Sequence, residues 1–310
     1  MVVLVLATAL LTSCSDNDQQ QENATDQFPL QIRLTDAPID DSNVEACYLS
    51  FTGVSVDGKS YMFESVKTVE LSALVNGQTE LLFDDYIHTD QFSEISLHLS
   101  LDKNAANQSP GCYIQRTDNV RDDLSVNGRL ENEITVRLDE NLNVVDKVIL
   151  DIDLRKAISY SPVTSQNTND MFAFTTPLGA SVRTVGENHV KIEGTIHDDE
   201  AMGDDVIIVY AYQKGTFDLE KETTPDNMNG LLFANAINGA RVNSEGRFEM
   251  HFMNKGDYEL KIISYKRDDS GRLTANAMLE GGTGTSLGLL DFTLNVDITL
   301  NMSIGKKIQI

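Results

Sequence analysis

Tryptophan is missing from this 310-residue chain, and only six prolines and three cysteines occur in it. Basic side chains are scarce: 24 Lys and Arg stand against 48 Asp and Glu, for a formal net charge of −24. A field of that sign repels phosphate backbones and anionic head groups, so nucleic acid is excluded as a partner. No Cys-x-x-Cys pair exists, which removes zinc-ribbon and thioredoxin-like chemistry. There is also no Gly-x-Ser-x-Gly elbow, no His-Glu-x-x-His and no phosphate-binding glycine loop. Gly281-Gly-Thr-Gly284 is glycine-rich but lacks a following Lys, and it reads as a loop. The five histidines (His88, His98, His189, His197 and His251) are scattered along the chain. No cofactor is implied, and the chain is read as a non-enzyme.

No apolar run is long enough to cross a bilayer as a helix, which takes about 20 residues. The run from Met1 to Ser13 fits instead the apolar core of a signal peptide. It closes on Leu11-Thr12-Ser13-Cys14, which resembles the lipobox of bacterial lipoproteins, although no Lys or Arg precedes it. That resemblance implies cleavage before Cys14, diacylglycerol and palmitate on the new terminus, and a membrane partner reached through the lipid. Residues 14–27 form a polar, Gln-rich tether with almost nothing to bury. Acidic residues just after the cysteine resemble a surface-export signal. The expected address is therefore the outer membrane and its outer face, with the periplasmic face as the alternative.

Beyond the tether the chain alternates. Leu30-Gln-Ile-Arg-Leu34, Ile95 to Leu101, Asn132 to Leu138, Val148 to Leu154, Val190 to Ile196, Val206 to Tyr212 and Gly246 to Phe252 all read as strands. Asp57-Gly58, Asn76-Gly77, Pro110-Gly111 and Asn127-Gly128 supply turn chemistry between such runs. Few segments show a helical period, and short helical turns are expected near 71–75 and 155–159. The expectation is an all-β chain of two tandem antiparallel β-sandwich domains, residues 28–186 and 187–310.

Three stretches of the first block carry a family resemblance. Ile32-Arg-Leu-Thr-Asp-Ala-Pro38 with Phe51-Thr-Gly-Val54 is one. Glu70-Leu-Ser-Ala-Leu-Val-Asn-Gly77 with Glu80-Leu-Leu-Phe83 is the second, and Asp151-Ile-Asp-Leu-Arg-Lys156 the third. Together they resemble the bacterial family called domain of unknown function 4382, which implies a β-rich extracytoplasmic domain. Thr89-Asp-Gln-Phe-Ser93 departs from the Gly-x-Tyr that the family tends to place before its central strand. In the second block, Ile192-Glu-Gly-Thr-Ile196, Gly246-Arg-Phe248 and Gly256-Asp-Tyr-Glu-Leu260 resemble carboxypeptidase-regulatory, or transthyretin-like, sandwiches. Such sandwiches imply a spacer or binding role.

Four groups of side chains are candidates for chemistry or cohesion. Cys47 and Cys112 are the two thiols left after Cys14, and in an oxidising compartment they are expected to pair. Asp36, Asp151, Asp153 and Arg155 sit in the family motifs and are expected to form a structural ion-pair cluster. The last three are placed on one face of a strand. Asp198, Asp199, Glu200, Asp204 and Asp205 make an oxygen-rich loop of the kind that holds calcium, without EF-hand spacing. A solvated hairpin loop is the preferred reading of it. Carboxylate pairs such as Asp84-Asp85 leave a two-carboxylate hydrolase as a minor alternative. The expected function is a non-catalytic surface or periplasmic binding module for a protein or glycan ligand, with a glycan-binding lipoprotein of a nutrient-uptake system as the alternative. The missing tryptophan counts against the glycan.

Overall fold

A computed structural model describes residues 27–37, 44–124, 132–138, 146–160, 172–175, 177–186, 188–197, 205–225, 231–269, 273–283, 286–287 and 290–309. The strands of the first block are β1 (Phe28–Ala37), β2 (Val44–Val56), β3 (Lys59–Glu70), β4 (Glu80–Ile87), β5 (Glu94–Leu99) and β6 (Tyr113–Arg116). They continue with β7 (Arg121–Asp123), β8 (Glu133–Arg137), β9 (Lys147–Asp153), β10 (Ile158–Tyr160), β11 (Phe172–Phe174) and β12 (Val182–Val185). A four-stranded sheet runs β12-β9-β1-β4, and a six-stranded sheet runs β7-β6-β2-β5-β8 with β3 on β2. Alternation makes the core. Leu30, Ile32 and Leu34 of β1 and Val148, Leu150 and Ile152 of β9 point inward, against Leu49, Phe51, Val54, Ile95 and Leu97 of the other sheet. This is a sandwich, as the sequence pattern implies. It is not purely antiparallel, because β1 lies parallel to β9. Local patterning carries no signal for that pairing, since the two strands are more than a hundred residues apart in sequence.

The second block holds β13 (Val190–His197), β14 (Val206–Gln213), β15 (Asn238–Arg241), β16 (Arg247–Met253) and β17 (Gly256–Arg267). It ends with β18 (Leu273–Thr283), β19 (Ser286–Leu287), β20 (Asp291–Leu294) and β21 (Ile298–Gln309). Here one continuous nine-stranded sheet, β15-β14-β17-β18-β21-β13-β16 with β19 on β18 and β20 on β17, supplies both layers. It rolls until its end strands β15 and β16 come together. Again one ladder, β13 with β21, is parallel. Phe248 and Tyr258 pack inside the roll with Ile192, Leu260 and Met302, as their place after a glycine implies. β14 is buried on both faces, which is why Val206 to Tyr212 is apolar without a break. Val209 and Ala211 face the inside, and Ile208, Tyr210 and Tyr212 face an outer cluster with Phe233 and Ile263. A buried Glu222 clasps that cover in place, accepting from Tyr212 Oη at 3.0 Å and Asn235 Nδ2 at 2.6 Å. Gly281 lies in β18 and not in a loop. A Cβ there would meet Ile262 Cδ1, the free end of that side chain, at 2.7 Å.

Among the described residues no ladder joins a strand before Val185 to one after Val190. The blocks meet through a small apolar contact of Ile149 and Val185 with Phe252, surrounded by polar ties. Arg183 Nη1 donates to the Phe252 carbonyl at 2.6 Å, and Lys156 Nζ donates to the Ala236 carbonyl at 2.9 Å. The Arg155 guanidinium lies 5.1 Å from the Tyr210 ring centre. The Asn76-Gly77 turn, with both residues at positive φ, presses on the second block. A Cβ on Gly77 would fall 2.5 Å from His251 Nδ1.

Candidate functional site

The acidic motifs of the first block end at this seam. On β9, Leu150 and Ile152 face the core, so Asp151 and Asp153 face the other way, toward the second block. The parallel register sets Asp36 beside Ile152 and Thr35 beside Asp151. Asp36 therefore lies on the core face, opposite to the two aspartates it was expected to join. The four expected cluster residues accordingly divide. Asp153 pairs with Arg155 at 2.7 Å and with Lys156 at 3.6 Å. Arg155 is not on a strand face: Leu154–Ala157 is a short helical turn, and Asp153 caps it by accepting from the Arg155 amide at 3.1 Å. Asp151 pairs with Arg183 of β12, a partner the sequence motifs did not contain. Asp36 has no ion pair among the described residues. Its Oδ1 accepts from the Leu154 amide at 3.3 Å, and its buried Oδ2 has no hydrogen-bond partner.

The electrostatics follow the geometry. Burial, then the nearby Asp151 and Asp153 charges, push the Asp36 carboxyl well above the usual carboxylate range. Burial also opposes ionisation of Asp153. There the charges of Arg155 and Lys156 and the hydrogen bonds from Arg155 outweigh it and hold the group below the usual range. Burial lowers the Lys156 ammonium.

The bridge expected between Cys47 and Cys112 is not formed: both are buried free thiols. Cys47 stands opposite Ile114 in the β2–β6 ladder, two residues beyond Cys112, so the sulfurs are diagonal and not facing. Cys112 Sγ is engaged instead with the Ser50 backbone, accepting from its amide at 3.4 Å. Burial pushes the Cys112 thiol up to about 12 and raises Cys47 well above its ordinary value. Cys14, Asp198, Asp199, Glu200 and Asp204 lie outside the described residues. Asp205 accepts from Ser264 Oγ at 3.1 Å and Asn276 Nδ2 at 3.3 Å. Among the described residues no group of three or more His, Cys, Asp or Glu is arranged to hold a metal.

Two features were not visible in the sequence. The first is a relay on the outer face of the six-stranded sheet. Ser55 Oγ lies 2.6 Å from His98 Nε2, and His98 Nδ1 lies 3.0 Å from Glu133 Oε1. Strand register alone builds it, since Gly53 faces His98 and His98 faces Glu133. The order of groups is that of a nucleophile, base and orienting acid. Its surroundings differ from those of a hydrolase. Ser55 is buried and shares its hydroxyl with Ser60 at 3.0 Å. β2 is flanked on both sides here, by β3 and β5, so the amides beside Ser55 are committed to ladders and not free to receive an oxyanion.

The second feature is an open cleft of about 640 Å³ between the blocks. One wall is Thr35, Asp36, Asp151, Val75 and the Asn76-Gly77 turn. The other is Asn238 to Ser244 with Arg247 to Phe252, which belong to β15, β16 and the turn joining them.

Comparisons with known proteins place the first block. Residues 29–172 match the family described as "Domain of unknown function (DUF4382)". No curated protein matches the chain. Among solved structures, the chain is similar to BcpA, the major pilin subunit of Bacillus cereus. That match has 10% identity and a TM-score of 0.21, and covers 91% of this chain and 71% of the pilin. The shaft pilin SpaA of Lactobacillus rhamnosus GG gives 8% identity and a TM-score of 0.20 over 90% of this chain and 99% of that one. A leucine-rich repeat protein of Bacteroides thetaiotaomicron gives 10% identity and a TM-score of 0.24. It covers 91% of this chain and 27% of its own length.

Proposed function

We propose that this chain is a non-catalytic lipoprotein of the cell envelope. Cys14 carries the lipid at the outer membrane, and the β-rich blocks bind a ligand beyond the tether. The observation that carries this reading is the contrast between the two features above. The nucleophile-like relay sits on a sheet face whose flanking amides are held in ladders, and among the described residues the open cleft between the blocks is lined by no such relay. A binding surface uses the second and leaves the first as a cohesive hydrogen-bonded patch. The test is a fluorophosphonate probe on the mature protein together with a broad panel of ester, peptide and glycoside substrates. The expected result is no adduct on Ser55 and no turnover. An adduct at Ser55 that disappears in Ser55→Ala, or turnover of any substrate, would replace the binding reading with a hydrolase. Fractionation of Cys14→Ala cells tests the anchor: soluble or unprocessed protein is expected, and wild-type membrane retention contradicts it.

A further inference from the structure

We infer that the interblock cleft is a binding site for a neutral saccharide, held by Asp151 from one wall and Arg241 and Arg247 from the other. The inference rests on the binding-module reading and names the ligand class for it. Its starting point is Asp151. The side chain is 8% exposed, and Arg183 occupies only Oδ2. Oδ1 is buried without a hydrogen-bond partner. An acceptor left open inside a protein is costly and marks a place where something else donates. Asp151 lines the cleft as well as a smaller recess beside Asp153 and Lys156, so a turn of its carboxylate brings Oδ1 to a donor seated in the cleft.

The opposite wall carries both signs: Arg241 and Arg247 are donors, and Glu249, paired with His251 at 2.8 Å, is an acceptor on the same strand as Arg247. Arg241 is exposed and has no ion pair among the described residues, and Arg247 meets Glu245 only at 3.5 Å between exposed side chains. Asn243 keeps the connecting turn in shape, its Oδ1 accepting from the amides of Glu245 and Arg247 at 2.9 Å each. Asn238 holds β15 to β16 by donating to the His251 carbonyl at 3.0 Å. The arginines are thus presented by a braced hairpin and not by a loose loop.

A ligand must therefore give a hydrogen bond to Asp151 and accept hydrogen bonds from guanidinium groups. An anion satisfies only the arginines and enters against the net charge of −24. A cation can meet Asp151, Asp36 and Glu249 but leaves Arg241 and Arg247 facing a like charge. A hydroxyl group is donor and acceptor at once. A neutral polyhydroxylated ring satisfies both walls at no cost in net charge. The volume is within the range of small-molecule sites and admits more than one sugar unit.

The experiment is calorimetric titration of the full mature protein with neutral oligosaccharides. Uronate oligosaccharides and free amino acids form parallel arms, and product analysis is run on the same samples. Saturable binding is expected in the neutral arm. Arg241→Ala should weaken it about tenfold or more, the loss of a charged hydrogen bond. Asp151→Asn should weaken it further. Arg137→Ala, an exposed arginine on another sheet, should leave it unchanged. If Asp151→Asn does not fold, the exposed Arg241→Ala decides. No saturable neutral ligand at millimolar concentration, or unchanged affinity in Arg241→Ala, overturns the inference. Binding confined to the uronate or amino-acid arm overturns the saccharide and keeps the binding module. Cleavage of a bound saccharide keeps the site and overturns the non-catalytic reading.

Discussion

Asp36 and Asp153 are both buried acids of the first block, yet their surroundings drive them in opposite directions. Asp36 has a raised folded value, so the folded state holds its proton more tightly than the unfolded chain does. Its contribution to stability is greatest at low pH. It declines as pH rises from the unfolded carboxylate value of about 3.9 through the raised folded value. Asn mimics the protonated acid and keeps the acceptor for the Leu154 amide. Asp36→Asn should therefore fold normally and flatten that decline in chemical-denaturation curves taken across the window. Destabilisation of the variant at neutral pH by more than about 2 kcal/mol would mean a paired, ionised Asp36. Asp153 has a depressed value, so its contribution is present above about pH 3.9 and is lost as pH falls through the folded value. Arg155→Ala should cost about 3 kcal/mol at neutral pH. That is the lower end for a broken buried pair, because Lys156 and the capped amide remain. The cost should shrink in acid. A loss below about 1 kcal/mol would place the pair with exposed ones. The sequence showed that these residues carry opposite charges in motifs that matter. It could not show that a parallel β1–β9 register turns Asp36 to the core, or that Arg183 answers Asp151.

Among the elements, strands were the legible part, because a half-buried strand writes its two faces into alternate residues. Leu30 to Leu34 and Ile95 to Leu99 are strands for that reason. The short helical turns near Leu71 and Leu154 fell where expected. Strand partners were not legible. Alternation says which face is buried but not which neighbour sits alongside, so both parallel ladders and the rolled sheet were missed. The Asn76-Gly77 turn joins this scale to the next. Its positive φ values and the His251 ring both demand a glycine at 77. Gly77→Ala should lower stability by about 1 kcal/mol for the backbone alone, and more with the clash. In a His251→Ala background only the backbone part should remain. Equal losses in the two backgrounds would mean that the turn does not press on the second block.

At the scale of the whole molecule, the seam is polar and narrow, with one small apolar contact and backbone-directed ties from Arg183 and Lys156. The cleft beside it gathers side chains that lie far apart in the chain, which is why no motif announced it. Asp151 was visible in a stretch that carries the family resemblance, whereas nothing in the sequence set Arg241 or Arg247 beside it. The most direct test of a non-catalytic binding cleft at this seam is hydrogen exchange of the mature protein with and without neutral oligosaccharides, with sugars analysed from the same tubes. We expect slower exchange over 238–241 and 247–253, with the oligosaccharides recovered at full length. Unchanged exchange in both segments, or accumulation of shortened sugars, would contradict the account.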